Sequence, residues 1–333
     1  MSDSRNNTSA LLSLLLFSRH NYQEVIPLLQ SKSTLQAGLD NALLLSSKYG
    51  DLQVLALAIE AGADRNVLGE FSRSAIHQSL LRGHQECFEF LLTKNVDADL
   101  GNNFEHSPIQ IAAMNGNNSA ISALEKLGGN LNQPNSEGWR PLHLAVQNGH
   151  LDTVNLLLSL GAQIDGVGKN DMTPIAVAID ESKYRIATKL IESNANLNLP
   201  NVFGETPIFH FKFFSYQPLP TSRHFVQSHP EPRPSIEKKL LSFMIENGAD
   251  VSIKANDGRE AIHLYAFYGL IGGIRILLKH GADIDVLNKW DESPIFFACR
   301  AQQSKTIEFL ERRGANTNQK NRFGKLCADY IGR

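Results

Sequence analysis

The stretch Gly138–Asp165, GWRPLHLAVQNGHLDTVNLLLSLGAQID, predicts two short helices joined by turns. Pro141 suits the first turn of a helix, where a missing N–H is not needed, and Gly149 is typical of the position at which a helix ends. The second helix is indicated by apolar residues at helical spacing, namely Leu151, Val154, Leu157 and Leu158. One such unit has too little surface to bury its apolar faces alone, so it requires stacked neighbours.

This unit recurs along the chain in a single register. With Arg140 as the marker, related starts lie at Asn41, Ser74, Ser107, Thr173, Thr206, Glu260, Ser293 and Leu326. Neighbouring starts are 33 residues apart, except that 54 residues separate Thr206 from Glu260. A fixed period of this length is the signature of a stacked-repeat architecture, and the 21 extra residues are an insertion within one repeat.

The repeated tetrads and their GAD-type closing motifs resemble those of the ankyrin-repeat family, over nearly all of residues 41–333. The resemblance implies an all-α fold, an ankyrin-repeat solenoid of helix-turn-helix units joined by hairpin-like turns in a single elongated domain. Residues 1–36 are expected to form degenerate N-terminal capping helices, 37–320 the repeats and 321–333 a C-terminal half-repeat cap. The apolar run Ala10–Phe17 is assigned to the N-terminal cap, because neither a basic region nor a small-residue cleavage site flanks it.

The insertion, at about residues 215–235, is rich in proline and lies between the two helices of one repeat. The first helix of that repeat is expected to begin at Pro207 and to end near Phe214, and the second to resume near Ile236–Ile245. Two interpretations are open. The insertion is a surface loop that loop-closure entropy tolerates cheaply, or it folds back on the repeats and enlarges a binding site.

Composition and charge narrow the classes of function. The formal net charge is −2, and the basic residues are scattered rather than arranged in a stripe, which does not favour nucleic acid. No apolar stretch is long enough to span a membrane. The three cysteines are odd in number and lie in no CxxC pair, so a disulfide framework and a structural zinc site are not expected. We expect a monomer in a reducing, cytoplasmic compartment.

No catalytic, metal or cofactor signature is found, since the sequence contains no P-loop, GxGxxG or HExxH motif. Three histidines share the last position of the repeat tetrad, which in ankyrin repeats joins adjacent repeats (His77, His143 and His263). His84 and His150 share a second position, at the start of the second helix. Buried free cysteine is the default interpretation of Cys87 and Cys299. The alternative is a cryptic cysteine hydrolase that uses Cys299 or Cys327.

Residues that the repeat pattern leaves free are the candidates for binding. In the implied solenoid, the turn tips and the ends of the first helices line a concave surface. Aromatic residues are frequent there and are typical anchors of protein interfaces. At the tips Phe71, Phe104 and Phe323, packing against the neighbouring tip is the competing interpretation. The predicted partner-binding residues are Trp139, Asp180, Glu181, Phe203, Phe213, Phe214, Tyr216, Phe267, Tyr268 and Trp290.

These features together predict a non-catalytic scaffold that binds a partner protein through the concave surface, with no cofactor. Asp180 and Glu181 add an acidic edge that favours a basic segment of the partner. An alternative role is an effector that an intracellular bacterium delivers into the host-cell cytoplasm. That alternative is suggested by the diverged repeats and the abundant Asn, Gln and Ser.

Overall fold

The computed structural model describes residues 36–101, 106–211 and 234–331. The N-terminal cap predicted for residues 1–36, including Ala10–Phe17, lies outside these residues except for Gln36. Residues 212–233 of the insertion region also lie outside them. Every regular element among the described residues is helical, which confirms the predicted all-α architecture.

The helices group into two compact units, with the boundary between Gln163 and Ile164. Those of the first unit are α1 (Gln36–Tyr49), α2 (Leu52–Glu60), α3 (Ala75–Arg82), α4 (Gln85–Leu92), α5 (Pro108–Asn115), α6 (Asn118–Lys126), α7 (Pro141–Asn148) and α8 (Leu151–Ser159). Those of the second unit are α9 (Pro174–Asp180), α10 (Tyr184–Glu192), α11 (Pro234–Glu246), α12 (Ala261–Phe267), α13 (Ile271–Lys279), α14 (Pro294–Arg300) and α15 (Ser304–Arg312). The second unit also has 3₁₀ helices at Pro207–His210 and Cys327–Tyr330.

The residue that marks each repeat start is the N-cap of the helix that follows it. Ser107 and Thr173 show the reason, since each side-chain oxygen accepts a hydrogen bond from the backbone N–H three residues later, at 3.4 Å in both cases. Proline then occupies the first helical position of α5, α7, α9 and α14. The first helix of the described chain is the exception, because α1 begins at Gln36, five residues before Asn41.

The first helix of each repeat lies at the centre of the packing. Within the first unit, α3 and α5 each contact their own second helix and the first helix of the next repeat, and within the second unit α12 does the same. As a result, six consecutive residues are buried in α5 (Pro108–Ala113), in α7 (Pro141–Val146) and in α9 (Pro174–Ile179). A helix that is apolar almost all round belongs in a core, which explains why these segments are not amphipathic.

Polar side chains bridge the buried helix starts. His77 Nδ1 accepts from the backbone N–H of Ser74 at 3.2 Å, and Nε2 lies 3.0 Å from the carbonyl of His106 in the next repeat. His263 makes the same pair of bonds, and Gln110 does so with its amide: Oε1 accepts from Ser107 N at 2.9 Å and Nε2 donates to Trp139 O at 3.2 Å, as well as to Gln133 O at 2.6 Å. The tetrad position therefore requires an acceptor at one end and a donor at the other, which neutral histidine and glutamine both supply.

A second set of histidines forms hydrogen bonds with carbonyl groups of the preceding repeat. His150, just before α8, places Nε2 2.9 Å from the carbonyl of Met114 near the end of α5, and His84 contacts Lys48 O in the same way at 3.1 Å. The ring of His150 lies over Gly116, where an added Cβ would come within 2.8 Å of Nδ1. Glycine is needed at Gly116 both for this approach and for its φ of +69°.

The repeat that carries the insertion departs from the pattern. Its first helix is only the 3₁₀ helix Pro207–His210, and Phe211 is extended and buried. The helix expected to run to Phe214 therefore ends at His210. Tyr265 of α12, which is fully buried, donates its hydroxyl to the Ile208 carbonyl at 3.1 Å. This hydrogen bond satisfies a carbonyl at the end of the shortened helix.

Gly116→Ala and Gly83→Ala form a matched pair for testing the contact beneath His150. Both glycines are helix C-caps at φ near +70°, but a Cβ at Gly83 would meet nothing within 4 Å. We expect Gly83→Ala to cost about 1 kcal/mol from backbone strain alone. Gly116→Ala should cost about 1–2 kcal/mol more, because it displaces His150 and breaks a hydrogen bond. Urea midpoints measure the difference, and equal midpoints for the two variants would contradict it.

Because His77 bridges two repeats only as a neutral ring, we expect acid to lower the free energy of unfolding. A glutamine at this position should not show this effect. Burial lowers the pKa of His77 to about 4, so the neutral ring contributes stability above pH 6.5, and that contribution is lost as pH falls from 6.5 to 4. The loss should be about 3 kcal/mol. His77→Gln, which copies Gln110, should keep the bridge and remove the His77 part of this decline, while the part that comes from His263, whose pKa burial also lowers to about 4, remains. His77→Ala is the control and should lose stability at every pH. Urea unfolding between pH 4 and 8 checks this, and a parallel decline in wild type and His77→Gln would refute it.

Candidate protein-binding surface

The turn tips of the second unit are held by buried asparagines. Asn201 Oδ1 accepts from the backbone N–H of Phe203 at 2.9 Å and of Glu205 at 3.0 Å. Asn288 does the same for Trp290 and Glu292, at 2.8 and 3.0 Å. An Asx turn of this kind fixes the tip backbone through a local side chain. The tip residues themselves are therefore free to vary.

Main-chain hydrogen bonds join each tip to the next one. Asn256 N donates to Phe203 O at 2.8 Å, Lys289 N to Asp257 O at 2.9 Å and Arg322 N to Trp290 O at 3.0 Å. The backbone of the tips is thus occupied with its neighbours, while the side chains face solvent. The side chain of Phe203 is 56% exposed and that of Trp290 is 38% exposed. A rigid row of turns presents both aromatic rings.

The end of α12 adds two aromatic rings in the repeat whose tip is Asp257. Phe267 is the last residue of this helix and is half-buried, whereas Tyr268, its C-cap, is 47% exposed. Their ring centroids are 5.2 Å apart and perpendicular, an edge-to-face arrangement that stabilises both rings in place. We call Phe203, Phe267, Tyr268 and Trp290 the aromatic surface.

The acidic edge is only partly available. Glu181, the C-cap of α9, is exposed. Asp180 is half-buried, and its Oδ1 lies 3.7 Å from Nδ1 of His210. Glu181 is therefore the better placed of the two carboxylates to meet a partner.

Trp139 lies in the first unit and is turned towards its own repeat. Its indole Nε1 donates to Glu137 at 3.3 Å, and its ring centroid is 5.4 Å from that of His143. The side chain is half-buried. Phe213, Phe214 and Tyr216 lie outside the described residues, so their proposed place beside the aromatic surface stays a prediction.

A charged cluster within the row of tips was not predicted from the sequence. Arg259 contacts Asp257 in its own tip and Glu205 of the preceding repeat, the latter at 3.3 Å. Glu205 and Arg259 both stand one residue before a repeat start, which is the position that Trp139 occupies in its repeat. Opposite charges at this position in consecutive repeats are the signal that would have found the cluster.

The cysteines differ from the prediction that they are free, and their environments also bear on the alternative of a cysteine hydrolase. Cys299 and Cys327, expected to be free, are paired through their sulfur atoms, with Cα atoms 5.8 Å apart. A bonded sulfur is not a nucleophile. Cys87 is free and buried, and this burial raises the pKa of its thiol to about 11. Since the thiolate is the reactive form, none of these three cysteines has the environment that a hydrolase nucleophile needs.

The described residues contain no group of three or more His, Cys, Asp and Glu side chains placed to hold a metal ion. None of the helices in the ranges given above is long and apolar enough to cross a bilayer.

A groove of about 710 Å³ lies between α10 and α11 in this unit. Ile236, Leu240 and Phe243 contribute apolar lining. Beside it, the Tyr184 hydroxyl donates to the buried Glu237 carboxylate at 2.6 Å, which joins α10 to the first turn of α11. Burial raises the pKa of Glu237, although the hydrogen bond opposes the shift. The pair fixes where the chain re-enters the helical stack after the insertion.

The model of the family described as ankyrin repeats (3 copies) matches most of the chain, in overlapping segments that cover residues 43–128, 82–167, 109–201 and 235–321. The unmatched stretch 202–234 contains the insertion.

Among curated proteins, the chain is 32% identical over 96 residues to an L-asparaginase of Dirofilaria immitis, covering 28% of this chain and 16% of that protein. It is 30% identical over 97 residues to ankyrin repeat domain-containing protein 63 of Homo sapiens, covering 28% and 26%. The match to the serine/threonine-protein kinase VIK of Arabidopsis thaliana is 31% over 77 residues, covering 23% and 17%. The chain thus spans about a sixth to a quarter of the length of these relatives.

Proposed function

The chain belongs to the ankyrin-repeat family, and from that premise we propose that it is a non-catalytic scaffold that binds a partner protein through the aromatic surface of its second unit. Repeats of this family typically bind proteins, and a stack of similar units presents variable residues along an extended platform. The observation that carries the proposal is the exposure of Phe203, Tyr268 and Trp290 on a backbone that hydrogen bonds hold in place.

Exposed aromatic rings on a rigid support favour binding for a physical reason. Their apolar area is removed from water when a partner covers them, and little conformational entropy is lost because the tips are already ordered. Tyr268 also carries a hydroxyl, so it can bury its ring and still meet a polar group. We therefore propose Phe203, Tyr268 and Trp290 as the anchors, with Phe267 as support for Tyr268.

The charged residues near the aromatic surface indicate the chemistry of the partner segment. Arg259 is already paired with Asp257 and Glu205, whereas Glu181 is exposed at the end of α9. We propose that the partner segment is apolar where it meets the aromatic surface and basic where it reaches Glu181. The proposed molecule is a monomer in the cytoplasm, with no role in nucleic-acid or membrane binding.

The similarity to an L-asparaginase and to a protein kinase does not extend the proposal to catalysis. Each match covers less than a fifth of the relative's length. The buried, protonated thiol of Cys87 and the paired sulfurs of Cys299 and Cys327 also count against a cysteine hydrolase.

Single alanine substitutions at Phe203 and Tyr268 test the surface once a pull-down with mass spectrometry has identified a partner. Each should weaken binding about tenfold or more, which is the usual effect of truncating an aromatic anchor. Phe71→Ala is the matched control, because Phe71 is a turn-tip phenylalanine of the first unit with the same 56% exposure as Phe203. It should change affinity less than about twofold.

Isothermal titration calorimetry measures the affinities of wild type and the three variants, and circular dichroism verifies that each variant is folded. If folded Phe203→Ala and Tyr268→Ala bind as tightly as wild type, the aromatic surface is not the binding site.

A further inference from the structure

The cysteine pair joins two consecutive repeats near the C-terminal end of the described chain. Cys299 is the sixth residue of α14, and Cys327 is the first residue of the 3₁₀ helix Cys327–Tyr330. Their Cα separation of 5.8 Å lies within the range of disulfides, and both side chains are buried. Twenty-eight residues separate them in sequence, so the bond closes a loop that includes all of α15.

The segment 321–331, which we call the C-terminal segment, packs on α14 through Cys327 and Tyr330, and the Arg300 guanidinium of α14 lies 5.5 Å from the centroid of the Tyr330 ring. Cys327 is the buried residue of its four-residue helix. Tyr330 places its ring centroid 6.3 Å from that of Phe296, and its hydroxyl accepts from Asn321 Nδ2 at 3.1 Å. A segment with so little buried apolar surface is held weakly by packing alone. A covalent bond at Cys327, its buried apolar residue, therefore has a large effect on whether the segment stays docked.

We propose that Cys299 and Cys327 are a reversible oxidation site that fastens the C-terminal segment to α14, with a small-molecule disulfide of the glutathione class as its oxidant. The opening of the segment gives the oxidant its access, because Cys327 lies on the moving side and Cys299 beneath it. In the cytoplasmic location proposed above, cysteine pairing of this kind is typical of redox sensing rather than of structural disulfides.

The exchange balances without a further reactant. The Cys327 thiolate attacks one sulfur of the small disulfide, which forms a mixed disulfide and releases one small thiol. The Cys299 thiolate then attacks the Cys327 sulfur and releases the second small thiol. Two protein thiols are oxidised and one small disulfide is reduced to two thiols, which take up the two protons. Excess small thiol reverses both steps.

Docking of the C-terminal segment also supports the neighbouring tip. Asn321 Nδ2 donates to the buried carboxylate of Glu292 at 3.2 Å, and Arg322 N donates to Trp290 O at 3.0 Å. Release of the segment would remove both hydrogen bonds from the Trp290 turn. The oxidation state of the two cysteines therefore affects the Trp290 turn, which is one end of the aromatic surface. The oxidation site does not depend on what that surface binds.

Alkylation of the full chain counts its thiols. The protein is incubated with oxidised glutathione or with dithiothreitol, cleared of reagent, unfolded in the presence of N-ethylmaleimide and weighed as the intact chain. We expect one adduct after oxidation, at Cys87, and three after reduction, with a peptide map that joins Cys299 to Cys327. Three adducts after oxidation, or glutathione still attached, would overturn the proposal.

Thermal unfolding and hydrogen exchange test the fastening. Oxidation should raise the Tm of wild type by about 5 °C, as expected for closing a loop of this size. Cys87→Ser should keep that difference and Cys327→Ser should lose it. Amide exchange in the C-terminal segment should slow at least about tenfold on oxidation, while exchange in α10 stays the same. If the disulfide forms in wild type but neither the Tm nor the amide exchange changes, the bond does not hold the C-terminal segment in place. That outcome would refute the proposal, whatever the variants show.

Discussion

Within each unit, the structure depends on the burial of first helices between their own second helices and the first helices of neighbouring repeats. In α5, for example, Ile109 and Ile111 are almost completely buried, and each such side chain contributes about 1.5–3 kcal/mol of apolar burial. This packing creates a polar requirement, because the helix starts are buried with it and their N–H groups cannot reach water. His77, Gln110 and His263 meet that requirement with one geometry: an acceptor faces the N-cap of the same repeat and a donor faces a carbonyl of the next repeat. Apolar packing and polar bridging are thus two consequences of the same buried helix.

The repeat that begins at Thr206 shows that the buried first helix can be much shorter than in the other repeats. Its first helix shortens to a single 3₁₀ turn, yet Ile208 and Phe209 still occupy the core. The next repeat contributes Tyr265, whose ring is buried and whose hydroxyl donates a hydrogen bond to Ile208 O. The Tyr184–Glu237 hydrogen bond anchors the first turn of α11, which begins four residues before the position that matches the start of α13. An insertion between two helices is tolerated because the neighbouring repeats supply the missing contacts.

Much of this architecture follows from the repeat register alone. The starts at Ser74, Ser107 and Thr173 are helix N-caps, and α11 begins at Pro234, close to the expected Ile236. The register could not predict contacts between unlike positions of adjacent repeats. Cys299 and Cys327 occupy different places in the repeat pattern, and only the packing of α14 on the following 3₁₀ helix brings them together. The same holds for Trp139, since a position on the repeat does not specify which way a side chain turns.

Near the aromatic surface, many of the charged groups are already paired within the protein, and this limits what they can contribute to the free energy of binding. Arg259 contacts Glu205 and Asp257, and Glu292 is buried with Arg300 and Asn321 as partners. A charged group on a partner would have to compete with these existing pairs, and a partly exposed pair that is merely exchanged yields little free energy. The rings of Phe203 and Trp290 are exposed, so a partner that covered them would displace water from apolar area. The paired charges therefore act mainly on the shape and rigidity of the tips, and the proposed binding draws its free energy mainly from the aromatic rings.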